Sequence, residues 1–90
     1  MFRYKKSVGG DYVRQGYIFF TSLRFEELGE RRRERIRSLC EEAGGEYSEA
    51  LLEFVTTQTT ATAVCYKYAL SKSTLYRIVS DYYKKFPNKL

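Results

Sequence analysis

Histidine is absent from the 90 residues, which removes the most common metal ligand and the usual general base. Cysteine occurs twice. Cys40 and Cys65 fall on the apolar faces of helical patterns and read as small core residues, not as a disulfide pair or a metal site. With no histidine in the chain, neither has the usual partner to activate it as a nucleophile. Long apolar runs are also lacking: the longest aliphatic and aromatic stretch, YIFF at 17–20, is far short of the roughly 20 residues that span a bilayer. The opening MFRYKKSVGG is basic, but no apolar region follows it, so it does not read as a signal peptide. The glycine pairs Gly9-Gly10 and Gly44-Gly45 do not have the spacing of a Walker or dinucleotide loop. The acidic pairs Glu26-Glu27 and Glu41-Glu42 are adjacent in sequence and diverge around a helix, so they are not set to face each other across a cleft. These absences predict a protein that is not an enzyme, uses no cofactor or metal, spans no membrane and works in a reducing, cytoplasmic setting.

What the chain does have is apolar material and an uneven charge. Apolar residues make up 43% of it, including nine Tyr and six Phe, enough for one core in one small domain, 1–90. The net charge is +5, and it is not spread evenly. Residues 60–90 carry six Lys/Arg against one acid, 48–59 carry two acids and no base, and 30–47 are balanced at five against five. A basic end of this kind predicts a polyanionic partner that touches the last third of the chain.

Periodicity places the elements. Residues 1–10 read as a flexible basic arm. From 11 to 28, Val13, Tyr17, Phe20 and Leu28 make a helical stripe. YIFFTS has the content of a strand, but no partner strand is visible to pair with it. Ile36, Leu39, Cys40 and Ala43 recur at i, i+3, i+4 and i+7, which predicts a helix over 30–43 stopped by Gly44-Gly45. Its other face, Arg31, Arg32, Arg33, Glu34, Arg35 and Arg37, mixes both signs and reads as a solvated surface of i,i+3 and i,i+4 pairs. Tyr47, Leu51, Phe54 and Val55 mark a helix over 46–56, which ends in the polar β-branched tract TTQTT. Thr60 is placed as an N-cap for a short helix carrying Ala61, Val64, Cys65 and Tyr68. After Ala69-Leu70, Ser71 caps a last helix over 71–86 with the stripe Leu75, Ile78, Val79, Tyr82 and Phe86, and Pro87 ends it. The expected fold is all-α, with four to five helices. A C-terminal tri-helical unit spans 46–86, and N-terminal helices over 11–45 cover its core or form a homodimer.

The segment from Ala61 to Ser80 resembles the twenty-residue helix-turn-helix of DNA-binding proteins. In that family the buried positions are the fourth, eighth, tenth, fifteenth and eighteenth, here Val64, Tyr68, Leu70, Leu75 and Ile78, all apolar or aromatic. The fifth is small where the helices cross, here Cys65. The ninth is most often Gly, because it takes a left-handed backbone; here it is Ala69, a departure that costs about 1 kcal/mol if the conformation is kept. SKSTLYRIV is similar to the recognition helices of TetR-type repressors and small sporulation regulators. The likeness covers only the last third of the chain, which has no room for the ligand-binding domain of a TetR-type repressor. It implies sequence-specific binding to double-stranded DNA by a small transcriptional or mobile-element regulator.

The stripe itself assigns roles. With Leu75 and Ile78 turned inward, Lys72, Ser73, Tyr76, Arg77 and Ser80 point outward, and a major groove about 12 Å wide admits such a helix. Arg77 is suited to a bidentate contact with guanine and Lys72 to phosphate or guanine. Ser73 and Thr74 suit a base or phosphate, and Tyr76 a thymine methyl or the sugar edge. Thr60 and Thr62 sit where a helix N-terminus can hold a phosphate. Lys67 and Lys84 add positioning charge, and the arm from Arg3 to Lys6 adds minor-groove or backbone contacts. The alternative is a protein–protein interaction module that uses the same helical unit without DNA. RNA or single-strand binding is a third reading, but the aromatic residues lie where a helical core needs them.

Overall fold

The computed structural model describes Lys5 and residues 11–90, and these contain no strand. Five α-helices follow one another: α1 (Tyr12–Leu23), α2 (Glu30–Gly44), α3 (Ser48–Thr56), α4 (Ala61–Tyr68) and α5 (Lys72–Lys85). Single turns of 3₁₀ helix occupy Phe25–Glu27 and Gly45–Tyr47. The all-α expectation holds. Apart from Lys5, the N-terminal arm lies outside the described residues.

Side-chain caps begin three of the helices. Asp11 Oδ1 accepts the Arg14 N–H at 2.7 Å, Thr60 Oγ1 the Ala63 N–H at 3.1 Å, and Ser71 Oγ the Thr74 N–H at 3.1 Å. Each supplies a partner for a first-turn amide that has none within its own helix. The break between α2 and α3 is made by Gly45 at φ 57, a left-handed φ available to glycine at little cost.

The core is built from the expected apolar stripes of α2, α3, α4 and α5. Ile36, Leu51, Val64 and Leu75 have no exposure, and Leu39, Cys40, Ala43, Ala50, Val55, Leu70, Ile78, Val79, Tyr82 and Phe86 are buried beside them. α2 lies centrally, packed mainly against α3 and α5. Its arginine face is solvated and paired along the helix: Arg33 with Glu30 at 2.8 Å, and Arg37 with Glu34 at 3.2 Å.

α1 departs from expectation. The helix ends at Leu23, so Leu28 falls outside it. Its stripe is also turned around: Val13 is 76% exposed, Phe20 53% and Tyr17 39%, whereas Gln15, Ile18 and Ser22 face inward. Polar residues occupy this buried face because the interior supplies their partners. Ser22 Oγ lies 2.7 Å from the Tyr82 hydroxyl, and Gln15 is bonded to the backbone of Lys5. Arg14 then fastens α1 to the end of α5 by donating to the carbonyl oxygens of Phe86 and Pro87. A buried polar group satisfied in this way loses most of its desolvation penalty.

Candidate nucleic-acid interface

α4 and α5 are joined by Ala69, Leu70 and Ser71. Ala69 takes φ 55 and ψ 49, and no other non-glycine residue among those described has a positive φ. A left-handed residue at this point lets the chain reverse within three residues. The next N–H, that of Leu70, reaches back to the Cys65 carbonyl at 3.1 Å, and Leu70 is buried as the pin of the turn. Around it, Val64, Leu75 and Ile78 are buried, and Cys65 and Tyr68 are half-buried where α4 meets its neighbours.

With Leu75, Ile78, Val79 and Tyr82 facing the core, the first two turns of α5 present Lys72, Ser73, Tyr76 and Arg77 to solvent. Tyr76 is 44% exposed. Beyond Arg77 the helix sinks: Ser80, Asp81 and Tyr83 are half-buried, and Lys84 is exposed again at the end. α1 on one side and the segment from 57 to 61 on the other flank α5 and leave a concavity of ≈ 1090 Å³.

Six of the ten residues expected at the interface border this concavity: Thr60, Ser73, Tyr76, Arg77, Ser80 and Lys84. The other four do not. Thr62 is exposed in the first turn of α4, and Lys72 is exposed in the first turn of α5. Thr74 is half-buried and engaged with the cap, its Oγ1 3.0 Å from Ser71 Oγ. Lys67 is exposed, but it is paired with Glu53 at 2.9 Å.

The Lys67 contact is part of a small cluster that ties α4 to α3. The Tyr68 hydroxyl also donates to Glu53, at 2.8 Å. These two hydrogen bonds, from Lys67 first and Tyr68 second, hold the Glu53 carboxyl below its ordinary pKa. The Glu53 carboxylate in turn raises Lys67, through the hydrogen bond and its charge. In the free protein Lys67 is thus paired with Glu53 at an exposed position.

Lys5, which the sequence reading placed only within an arm touching the minor groove or backbone, and Gln15, which it did not place at the site, also border the concavity. The Lys5 ammonium lies 5.6 Å from the centroid of the Tyr76 ring. No periodic signal announces this contact, because it joins the arm to α5 across α1. Among the described residues no group of His, Cys, Asp and Glu side chains is arranged to hold a metal ion, and no helix is long and apolar enough to cross a membrane. No family model, curated protein or solved structure matches this chain.

Proposed function

We propose that this protein binds double-stranded DNA, with α4, the turn and α5 acting as a helix-turn-helix and the first half of α5 entering the major groove. The observation that carries this reading is the division of α5. A left-handed three-residue turn delivers a helix whose inner stripe is fully buried, while Lys72, Ser73, Tyr76 and Arg77 stand out on its first two turns. The N-terminal part of a recognition helix is the part that meets base edges.

The second half of α5 is unsuited to that work. Ser80 and Asp81 are half-buried, and the Asp81 carboxylate would repel phosphate. Base contacts are therefore assigned to Ser73, Tyr76 and Arg77, with Lys72 and Lys84 on the sugar-phosphate backbone. Ser80 lies at the edge of the footprint, and Thr74 supports the cap more than it reads a base. Thr60 and Thr62 set a phosphate against the start of α4: the Thr60 hydroxyl accepts from Ala63 and still has its own proton to donate. Lys67 would give up part of its Glu53 pairing to reach the backbone and is the weakest contributor of the set.

The test is a fluorescence-anisotropy titration of a labelled random-sequence duplex with the wild-type chain, Arg77→Ala and Lys72→Ala. On such a duplex each substitution removes a cation from the DNA face and is expected to weaken binding and to lower the log–log salt slope by about 1. Full affinity in both variants, or no binding by the wild type at low salt, overturns the reading. One module buries only about 600–1,000 Å² on DNA, so a dimer or tandem sites belong to the proposal, in a small regulator of transcription or of a mobile element working in the cytoplasm.

A second reading is favoured by a specific observation. Tyr12, Val13, Tyr17 and Phe20 on α1 and Tyr66 on α4, at 91%, are exposed. Large apolar side chains gathered on one helix are a feature of protein contacts. A protein-interaction module using α1 predicts association, with a second copy or with another protein, that Val13→Asp abolishes and Arg77→Ala does not touch.

A further inference from the structure

We propose that Gln15 is a positioning residue that holds Lys5 beside α5 and so makes Lys5 a cation of the same DNA-binding face. The inference rests on the function proposed above and adds to it a residue from the far end of the chain.

Gln15 is 1% exposed, on the inner face of α1 beside Ile18 and Ser22. A carboxamide buried without partners is destabilising, whereas an apolar side chain fills the same space with no such penalty. What the carboxamide adds is direction. Its Oε1 accepts the Lys5 N–H at 2.8 Å, and its Nε2 donates to the Lys5 carbonyl at 2.6 Å. The side chain thus takes both backbone groups of one residue, as a neighbouring strand would, and fixes where the main chain passes α1 whatever side chain that residue carries.

The consequence is at the other end of Lys5. Its side chain is exposed, and its ammonium lies 5.6 Å from the Tyr76 ring centroid, within the range of a cation–π contact. Tyr76 precedes Arg77 on the outward stripe of α5, and Lys5, Ser73, Tyr76 and Arg77 border one concavity. A further cation beside Arg77, Lys72 and Lys84 raises the local positive potential, which favours the phosphate backbone of a duplex docked on α5. Tyr76, assigned to a thymine methyl or sugar edge, then has the Lys5 ammonium over its ring.

The experiment uses the full chain and a fluorescein-labelled random-sequence duplex, titrated by anisotropy over a series of KCl concentrations, with wild type, Lys5→Ala, Gln15→Met and the double variant. Lys5→Ala alters an exposed side chain and leaves the core intact. It is expected to lose several-fold in affinity and to lower the log–log salt slope by about 1. Gln15→Met, whose fold is checked by circular dichroism, is expected to do the same, and the double variant to bind no worse than Lys5→Ala alone. An unchanged slope for Lys5→Ala, or full additivity of the two substitutions, overturns the proposal. Tryptic cleavage after Lys5 reads the clamp without DNA: it is expected to be faster in Gln15→Met than in wild type, and equal rates overturn the clamp. A wild type that binds no duplex overturns the DNA-binding role of Lys5 together with the proposed function, while faster cleavage in Gln15→Met would still establish the clamp.

Discussion

Tyr82 is the largest side chain with no exposure, and its hydroxyl lies 2.7 Å from Ser22 Oγ. The two ends of this bond do not respond equally to substitution. Tyr82→Phe removes one polar group and leaves a small hydroxyl that can turn to its own backbone, at a cost of about 1 kcal/mol. Ser22→Ala leaves a buried phenol with no partner and costs more, about 1–3 kcal/mol. Urea unfolding of the two variants checks the order, and a smaller loss for Ser22→Ala would contradict it. Arg77 is the corresponding residue on the outer face, where its replacement is expected to weaken DNA binding without moving the urea midpoint by more than about 0.5 kcal/mol.

The turn between α4 and α5 makes a prediction at the scale of elements. Ala69 adopts φ 55, a conformation that costs a residue with a Cβ roughly 1–2 kcal/mol and glycine almost nothing. Ala69→Gly is therefore expected to raise stability by up to about 1 kcal/mol, after the loss to unfolded-state entropy, with the helices unchanged by circular dichroism. A clear loss of stability would mean that the turn is not left-handed. The same turn illustrates what the sequence made legible. Spacing marked the inner stripes of α2 and α5 and hydroxyl side chains marked the caps at Thr60 and Ser71, because these are local signals, while the left-handed ninth residue was implied only by the helix-turn-helix resemblance. α1 was misread at its face because Val13, Tyr17 and Phe20 keep helical spacing as well as any buried stripe does. Gln15 and Ser22 look like solvent positions until Lys5 and Tyr82 are brought beside them. The concavity was not legible at all, since its walls come from α1, the segment after α3, and α5, which periodicity cannot place relative to one another.

Across the whole molecule, titration sets the alkaline limit of stability. Burial pushes the Cys40 thiol up from 9.0 to about 12 and the Tyr83 phenol up to about 12, and it also raises Tyr82. In each case the folded state keeps its proton at a pH where the unfolded chain loses it. These three groups therefore take nothing from stability well below pH 9, and above it stability falls, first through Cys40 and above pH 10 through the two tyrosines as well. The loss approaches about 1.4 kcal/mol per pH unit for each group between its unfolded and its folded pKa. Urea midpoints in reductant from pH 8 to 11 check this, with Cys40→Ala expected to flatten the first part of the decline. The same molecule carries its charge excess in residues 60–90 and places an exposed polar stripe on the first turns of α5, and the central claim is that these meet DNA. The most direct measurement is the amide chemical-shift change on adding a short duplex to the ¹⁵N-labelled chain. The predicted result is a set of shifts concentrated at 60–62 and 71–77 that fades as salt is raised. Shifts confined to the exposed face of α1 at 12–20, or no shifts at low salt, would contradict it.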